Sequence, residues 1–179
     1  MRAWKRLKSE MLVSDRWLRL RADRCELPSG LVLDPYYVLE ESDWVHVVAI
    51  AADGKILTVR QFRYAAGVVT TELPGGVIDD LEAPLEAARR ELREETGFEA
   101  NDWRALGSPF ANPARQTNRV HAFVAKGLTA GPRALEPSED IEHDFLSATE
   151  LKAAIANGSF SQSLHIASFY MALESERAG

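Results

Sequence analysis

Three glutamates, Glu91, Glu94 and Glu95, stand close together in the run Arg90-Glu91-Leu92-Arg93-Glu94-Glu95-Thr96. On a helix Glu91 meets Glu94 at i,i+3 and Glu95 at i,i+4, and each like-charge pair costs about 0.2–0.5 kcal/mol of helix stability. Something cationic must offset that repulsion. Three hard oxygen donors on one face suit Mg²⁺ or Mn²⁺, ions that prefer carboxylates, keep several waters and share their coordination with the phosphate oxygens of a ligand. Taken alone, the run reads more readily as an acidic helix face that meets water and nearby arginines, so the surrounding elements decide.

The helix that must carry these residues is expected over Pro84–Thr96, with proline in its first turn and Gly97 just past its end. On a helical wheel Leu85, Ala88, Leu92 and Thr96 share one stripe, the three glutamates fall on a neighbouring arc, and Arg89, Arg90 and Arg93 lie away from it. The chain before it reads as antiparallel β. Alternation predicts a strand over residues 17–22, Pro28-Ser29-Gly30 a turn, and residues 31–40 a strand in which Pro35 demands an edge position or a bulge. Asp53-Gly54, between the apolar runs 45–51 and 55–60, predicts a tight hairpin. A further strand over 70–73 is stopped by Pro74-Gly75-Gly76. Downstream, strands are expected over 103–106, 119–125 and 141–146, a loop over 127–140, and helices over 149–156 and 163–176. Hairpins with few helices argue α+β with a mixed sheet, not a doubly wound fold.

A length of 179 residues, 46% of them hydrophobic, fits one globular domain that buries a core without staples. With a net charge of −6 and its Lys and Arg scattered, the chain offers no concentrated basic face, which argues against nucleic acid as a partner. The single cysteine, Cys25, cannot form an internal disulfide and suits a reducing cytoplasm. No apolar run approaches the ~20 residues of a membrane span, so neither export nor membrane insertion is expected.

Context settles the reading of the glutamates. Gly76, Glu82 and the run from Arg90 to Phe98 match every fixed position of the Nudix box, and the sequence resembles the Nudix hydrolases. That resemblance implies an α/β/α sandwich with a mixed sheet, in which the box forms a loop, helix and loop holding divalent metal. It implies Glu91 and Glu95 as principal metal ligands and Glu94 as a further ligand or a holder of coordinated water. The backbone carbonyl of Gly75 would be another ligand, at a position where relatives usually carry alanine. Gly76, Glu82, Arg90 and Gly97 become structural, the Glu82 and Arg90 pair orienting the ligand loop.

Outside the box, Arg60-Gln61-Phe62-Arg63, Glu72-Leu73-Pro74 and Pro113 resemble the branch that hydrolyses ADP-ribose and related nucleoside diphosphate sugars. Asn112-Pro113-Ala114 replaces the Ser-Pro-Gly usual in ADP-ribose enzymes, which leaves room for other nucleotide sugars. By this likeness Arg63, Glu72 and Pro113 are substrate-binding residues, Arg63 as a guanidinium fork on phosphate. Residues 1–42 resemble the antiparallel N-terminal β region through which this branch forms homodimers, with 43–179 as the core of a single domain. Trp17, and less so Tyr36, then stack on the nucleobase. The acidic segment 136–144 aligns with the loop that supplies a general base, for which Glu139 stands ahead of Glu142, Glu136 and Asp140. The expected activity is Mg²⁺-dependent, with Mn²⁺ possible, and yields nucleoside monophosphate and sugar phosphate. The alternatives are a Nudix hydrolase of an oxidised triphosphate or dinucleoside polyphosphate, and a nucleotide-sugar sensor without turnover.

Overall fold

In the computed structural model, which describes residues 2–134 and 140–177, the chain forms two units, Met1–Asp43 with Phe110–Arg119, and Trp44–Pro109 with Val120–Gly179. In the first, β1 (Lys5–Ser14), β2 (Arg19–Glu26) and β3 (Val32–Leu39) make an antiparallel sheet in that order. The strand expected from residue 17 begins at Arg19 instead. The Asp15 carboxylate accepts the backbone N–H groups of Trp17 and Leu18 at 2.7 and 2.8 Å, and that side-chain turn reverses β1 into β2. Pro35 takes the place expected of it, on an edge strand and opposite a register shift between Asp23 and Cys25. Inside this sheet the Arg21 guanidinium binds the buried Asp23 at 3.0 Å and also Glu40. Segment Phe110–Arg119 joins this unit through backbone bonds between Leu39 and both Arg115 and Thr117.

The second unit contains two sheets. β7 (Gly75–Val77), β4 (Trp44–Ala49), β9 (Val120–Ala130) and β8 (Phe98–Gly107) form a mixed sheet in which only β4 and β9 run parallel. β10 (Ile141–Leu146), β5 (Ile56–Arg63) and β6 (Val68–Glu72) form an antiparallel one. Strand β4 is buried on both faces, which is why it reads as a continuous apolar run rather than an alternating one. Val45, Val47 and Ala49 pack with Ala87, Ala88 and Leu92 of α1 (Pro84–Thr96). Val48 and Val124 turn the other way, onto Leu151 of α2 (Ala148–Asn157) and Phe169 of α3 (Ser163–Arg177). Helices on both faces of a mixed sheet make the α/β/α sandwich.

Three expectations need correction. The turn at Asp53-Gly54 is present, but β4 and β5 share only the bridge between Ile50 and Ile56 before parting into different sheets. Gly75 and Gly76 do not simply end a strand; they form β7, because β4 lies beside them to accept the pairing. The expected loop over 127–140 is shortened, since β9 continues to Ala130 opposite Phe98 of β8. Helix α1 ends as expected, with Gly97 in the left-handed region and its N–H on Arg93 O.

Candidate active site

Helix α1 presents Glu91 and Glu95 on its buried side, beside the apolar stripe, and Glu94 half-buried at the edge. All three line one cavity of about 480 Å³ together with Gly75, Gly76 and Arg90, within the ordinary range for a small-molecule site. The two glycines of the loop lie against close neighbours: a Cβ on Gly76 would stand 2.3 Å from Glu91 Oε1, and one on Gly75 2.1 Å from the carbonyl oxygen of Val45. Gly75 N–H donates to Glu95 Oε2 at 2.9 Å.

The cation that the sequence demands for this repelling cluster is, in part, Arg90. Its Nε and Nη2 bind both oxygens of Glu82 at 3.0 and 2.9 Å, and Nη2 also reaches the carbonyl of Val77. Nη1 is shared between Glu91 Oε1 at 2.9 Å and Glu94 Oε2 at 3.2 Å. The helical wheel places Arg90 away from the glutamates, whereas its long side chain curls back among them. The hydrogen bonds to Arg90 hold the Glu82 carboxyl below the usual range, and those to Glu82, ahead of those to Glu91 and Glu94, raise the Arg90 guanidinium. Among the described residues no three acidic, imidazole or thiol groups converge tightly enough to cage an ion as they stand. The donor set nevertheless fits a hard divalent cation: it is all oxygen, and the missing Cβ of Gly76 leaves the space that the Glu91 carboxylate occupies.

Arg63, at the end of β5, lines the same cavity. Its Nε donates to Glu72 Oε1 at 2.9 Å and its Nη2 to Glu72 Oε2. These bonds, more than the further pull of Glu72 and Glu95 charge, raise the guanidinium pKa against the cost of burial. Glu72, expected to touch substrate, has no exposed surface; its carboxylate faces Arg63, Thr70 and His165. Gln61 of the Arg60-Gln61-Phe62-Arg63 segment also lines the cavity, as do residues the sequence reading did not single out, among them Trp44, His46, Gln162 and His165. Gln61, Arg63, Thr70 and Glu72 share one face of the β5–β6 hairpin by strand alternation, a pattern that could have exposed the group. Nothing local could have brought in His165 from α3.

The remaining expected residues lie elsewhere. Trp17 sits exposed in the β1–β2 turn of the first unit, with the Arg16 guanidinium 3.9 Å from its ring centroid. Tyr36 packs edge-on against Trp4 and donates to the carbonyl of Ala114, beside the exposed Pro113. Glu136 and Glu139 lie outside the described residues. Of their acidic neighbours, Asp140 is exposed, and Glu142 at the start of β10 pairs with Arg60 at 3.5 Å.

Comparison with known proteins supplies independent findings. A NUDIX domain model matches residues 43–164, and a model of the nucleoside diphosphate sugar hydrolase N-terminal domain matches residues 4–39. The methanol dehydrogenase activator of Bacillus methanolicus is 33% identical over 145 residues, covering 81% of this chain and 78% of that protein. An ADP-ribose pyrophosphatase of Mycobacterium tuberculosis is 30% identical over 164 residues, covering 90% and 79%. The crystal structure of an ADP compounds hydrolase superposes with a TM-score of 0.87 at 19% identity, covering 99% of this chain and 96% of that one, a likeness of fold.

Proposed function

The chain belongs to the Nudix hydrolase family, and from that membership we propose that it cleaves the pyrophosphate of a nucleoside diphosphate sugar, ADP-ribose or a similar compound, to nucleoside monophosphate and sugar phosphate. The observation that carries this reading is the cavity itself, whose lining gathers Glu91, Glu94, Glu95 and Gly75 with Arg63. The N-terminal domain match over residues 4–39 and the ADP-ribose pyrophosphatases among the relatives support the substrate class.

A pyrophosphate repels an incoming nucleophile, so its charge must be neutralised before water can attack. Glu91 and Glu95, with Glu94 and the Gly75 carbonyl, would hold a divalent cation, which we take to be Mg²⁺ with Mn²⁺ as a substitute; it supplies positive charge to phosphate oxygens and makes water more acidic. Glu82 anchors Arg90, and Arg90 keeps the Glu91 and Glu94 carboxylates turned toward the cavity. Arg63 spends two of its five N–H donors on Glu72, which leaves three for phosphate oxygens. Glu139 is assigned, on the family likeness, as the base that takes the proton of the attacking water.

Residues 1–42 we assign to homodimer formation, within a single Nudix hydrolase domain of residues 1–179. Strand β1 carries the exposed apolar side chains Leu7, Met11 and Leu12. Trp17 is assigned to stacking on the base and Pro113 to the substrate-binding turn. Among the described residues no helix is long and apolar enough to cross a membrane, and we place the enzyme in the cytoplasm. The test is a panel of ADP-ribose, ADP-glucose and GDP-mannose with Mg²⁺, both phosphorylated products being identified. Monophosphate plus sugar phosphate is expected, with turnover lost by orders of magnitude in a folded Glu95→Gln variant. Turnover of nucleoside triphosphates alone, with release of pyrophosphate, refutes the substrate class.

A further inference from the structure

Behind Arg63 lies a chain of buried polar side chains drawn from three elements: Glu72 of β6, His165 and Ser168 of α3, and His46 of β4. A buried carboxylate and two buried imidazoles are costly unless each is satisfied, and here each is. Glu72 Oε1 accepts from Arg63 Nε and Thr70 Oγ1, while Oε2 accepts from Arg63 Nη2 and faces His165 Nε2 at 3.3 Å. The tautomer of His165 follows from its other nitrogen. Nδ1 accepts the backbone N–H of Leu73 at 3.1 Å, so the ring proton resides on Nε2, the nitrogen that lies 3.3 Å from Glu72 Oε2. Burial, followed by the Arg63 charge, lowers His165 to about 3 and keeps the ring neutral. The ring plane is set by His46, stacked on it at 3.8 Å between centroids and 20° between planes. Ser168 Oγ donates to the carbonyl of Leu164 at 3.1 Å and so receives Nδ1–H of His46 at 3.0 Å.

Three hydrogen bonds and the neighbouring His165 Nε2 surround the two Glu72 oxygens, which restrains rotation of the carboxylate. The Arg63 guanidinium is bound to that carboxylate by two parallel bonds, although its side chain is 46% exposed. An arginine tethered only by its stem samples many rotamers. We propose that His165 is a positioning residue for this reaction: its Nε2, 3.3 Å from Glu72 Oε2, restrains the carboxylate that carries the Arg63 fork and so sets the angle at which the fork meets the substrate's phosphate, while His46 holds the His165 ring in place. The inference rests on the proposed contact between Arg63 and phosphate.

Two replacements separate the two nitrogens of the ring. His165→Asn retains an acceptor for Leu73 N–H but falls short of Glu72, whereas His165→Gln places an amide N–H where Nε2–H was. The first readout needs no substrate: the order parameter of the Arg63 Nε–H group by NMR. It should be that of a rigid group, about 0.85, in the wild type and His165→Gln, and fall below about 0.6 in His165→Asn. A mobile Arg63 in the wild type, or an unchanged one in His165→Asn, overturns the proposal. The second readout is steady-state kinetics with ADP-ribose and Mg²⁺. His165→Asn should raise KM on the order of tenfold, the scale of one lost charged hydrogen bond, while kcat changes less and His165→Gln recovers most of the loss. In an Arg63→Lys background His165→Asn should add nothing further. Multiplying effects on KM would show that His165 acts apart from Arg63 and refute the proposal. An unchanged KM in Arg63→Lys itself would remove the phosphate contact, and with it the kinetic half of the inference, while the NMR result still judges the positioning.

Discussion

The adjacent glycines of β7 make a sharp test, because an added methyl group meets backbone in one case and a movable carboxylate in the other. In Gly75→Ala the new Cβ would lie 2.1 Å from Val45 O and 3.1 Å from both Val45 C and His46 Cα. These are main-chain atoms of the central strand β4, paired with β7 at Val45 and His46. Relief therefore requires β7 to retreat by roughly 1 Å, an overpacking strain of about 1–3 kcal/mol. In a domain of this size that lowers Tm by about 2–4 °C per kcal/mol, and thermal unfolding followed by circular dichroism would read it. In Gly76→Ala the new Cβ would lie 2.3 Å from Oε1 and 2.6 Å from Cδ of Glu91, the end of a side chain that can swing aside. The fold should then keep most of its Tm while cation affinity and turnover fall by about 10–100-fold, the scale of a displaced metal-site group. An unchanged Tm in Gly75→Ala would show that β7 need not approach β4 so closely. Full turnover in Gly76→Ala would refute the claim that Glu91 must stand where it does.

Two further outcomes are expected. Glu139→Gln should lower kcat strongly with a smaller change in KM, as for loss of a proton acceptor in the transition state; a change in KM alone would assign the base elsewhere. His165 makes the fold acid-sensitive. Its native pKa of about 3 lies below the 6.5 of an ordinary histidine, for reasons of burial first and Arg63 second. Between those values the unfolded chain binds a proton that the native state does not, so stability present above pH 6.5 is lost as pH falls, by about 1.4 kcal/mol per unit. Burial lowers His46 in the same direction. Urea unfolding at a series of pH values should give a shallower acid slope for His165→Gln than for the wild type; equal slopes would mean that His165 is not buried neutral.

How much of this was legible beforehand follows from how local each signal is. Helix α1 could be read to the residue because its proline start, its glycine stop and its apolar period all lie within the segment that they specify. Strand β7 could not. Gly75-Gly76 is a breaker by every local rule, and becomes a strand only because β4, some thirty residues earlier, supplies the pairing partner. The Asp53-Gly54 turn was legible and the membership of its flanking strands was not, since sheet order depends on β9 and β10 far along the chain. For the site, the box glutamates are nearly contiguous in sequence and carry a family signature, whereas other lining residues come from β4, β5 and α3, with Glu72 of β6 bound to Arg63.

That dispersed group still left traces. Strand β4 is apolar and buried on both faces except at His46, and an imidazole enclosed in such a strand must find a partner. The partner is Ser168, 122 residues away. Glu72 likewise occupies an inward position of its hairpin, where a bare carboxylate would be untenable, and the arginine able to neutralise it, Arg63, is on the same face. Each polar residue at a position that the pattern marks as core therefore announces a missing contact without saying where it lies. Only the folded chain shows that two of these contacts meet, at the stack of His46 on His165. On the proposed role of Arg63, the satisfaction of buried polar groups and the aiming of that arginine become one requirement: a residue that broke the first would disturb the second without touching substrate.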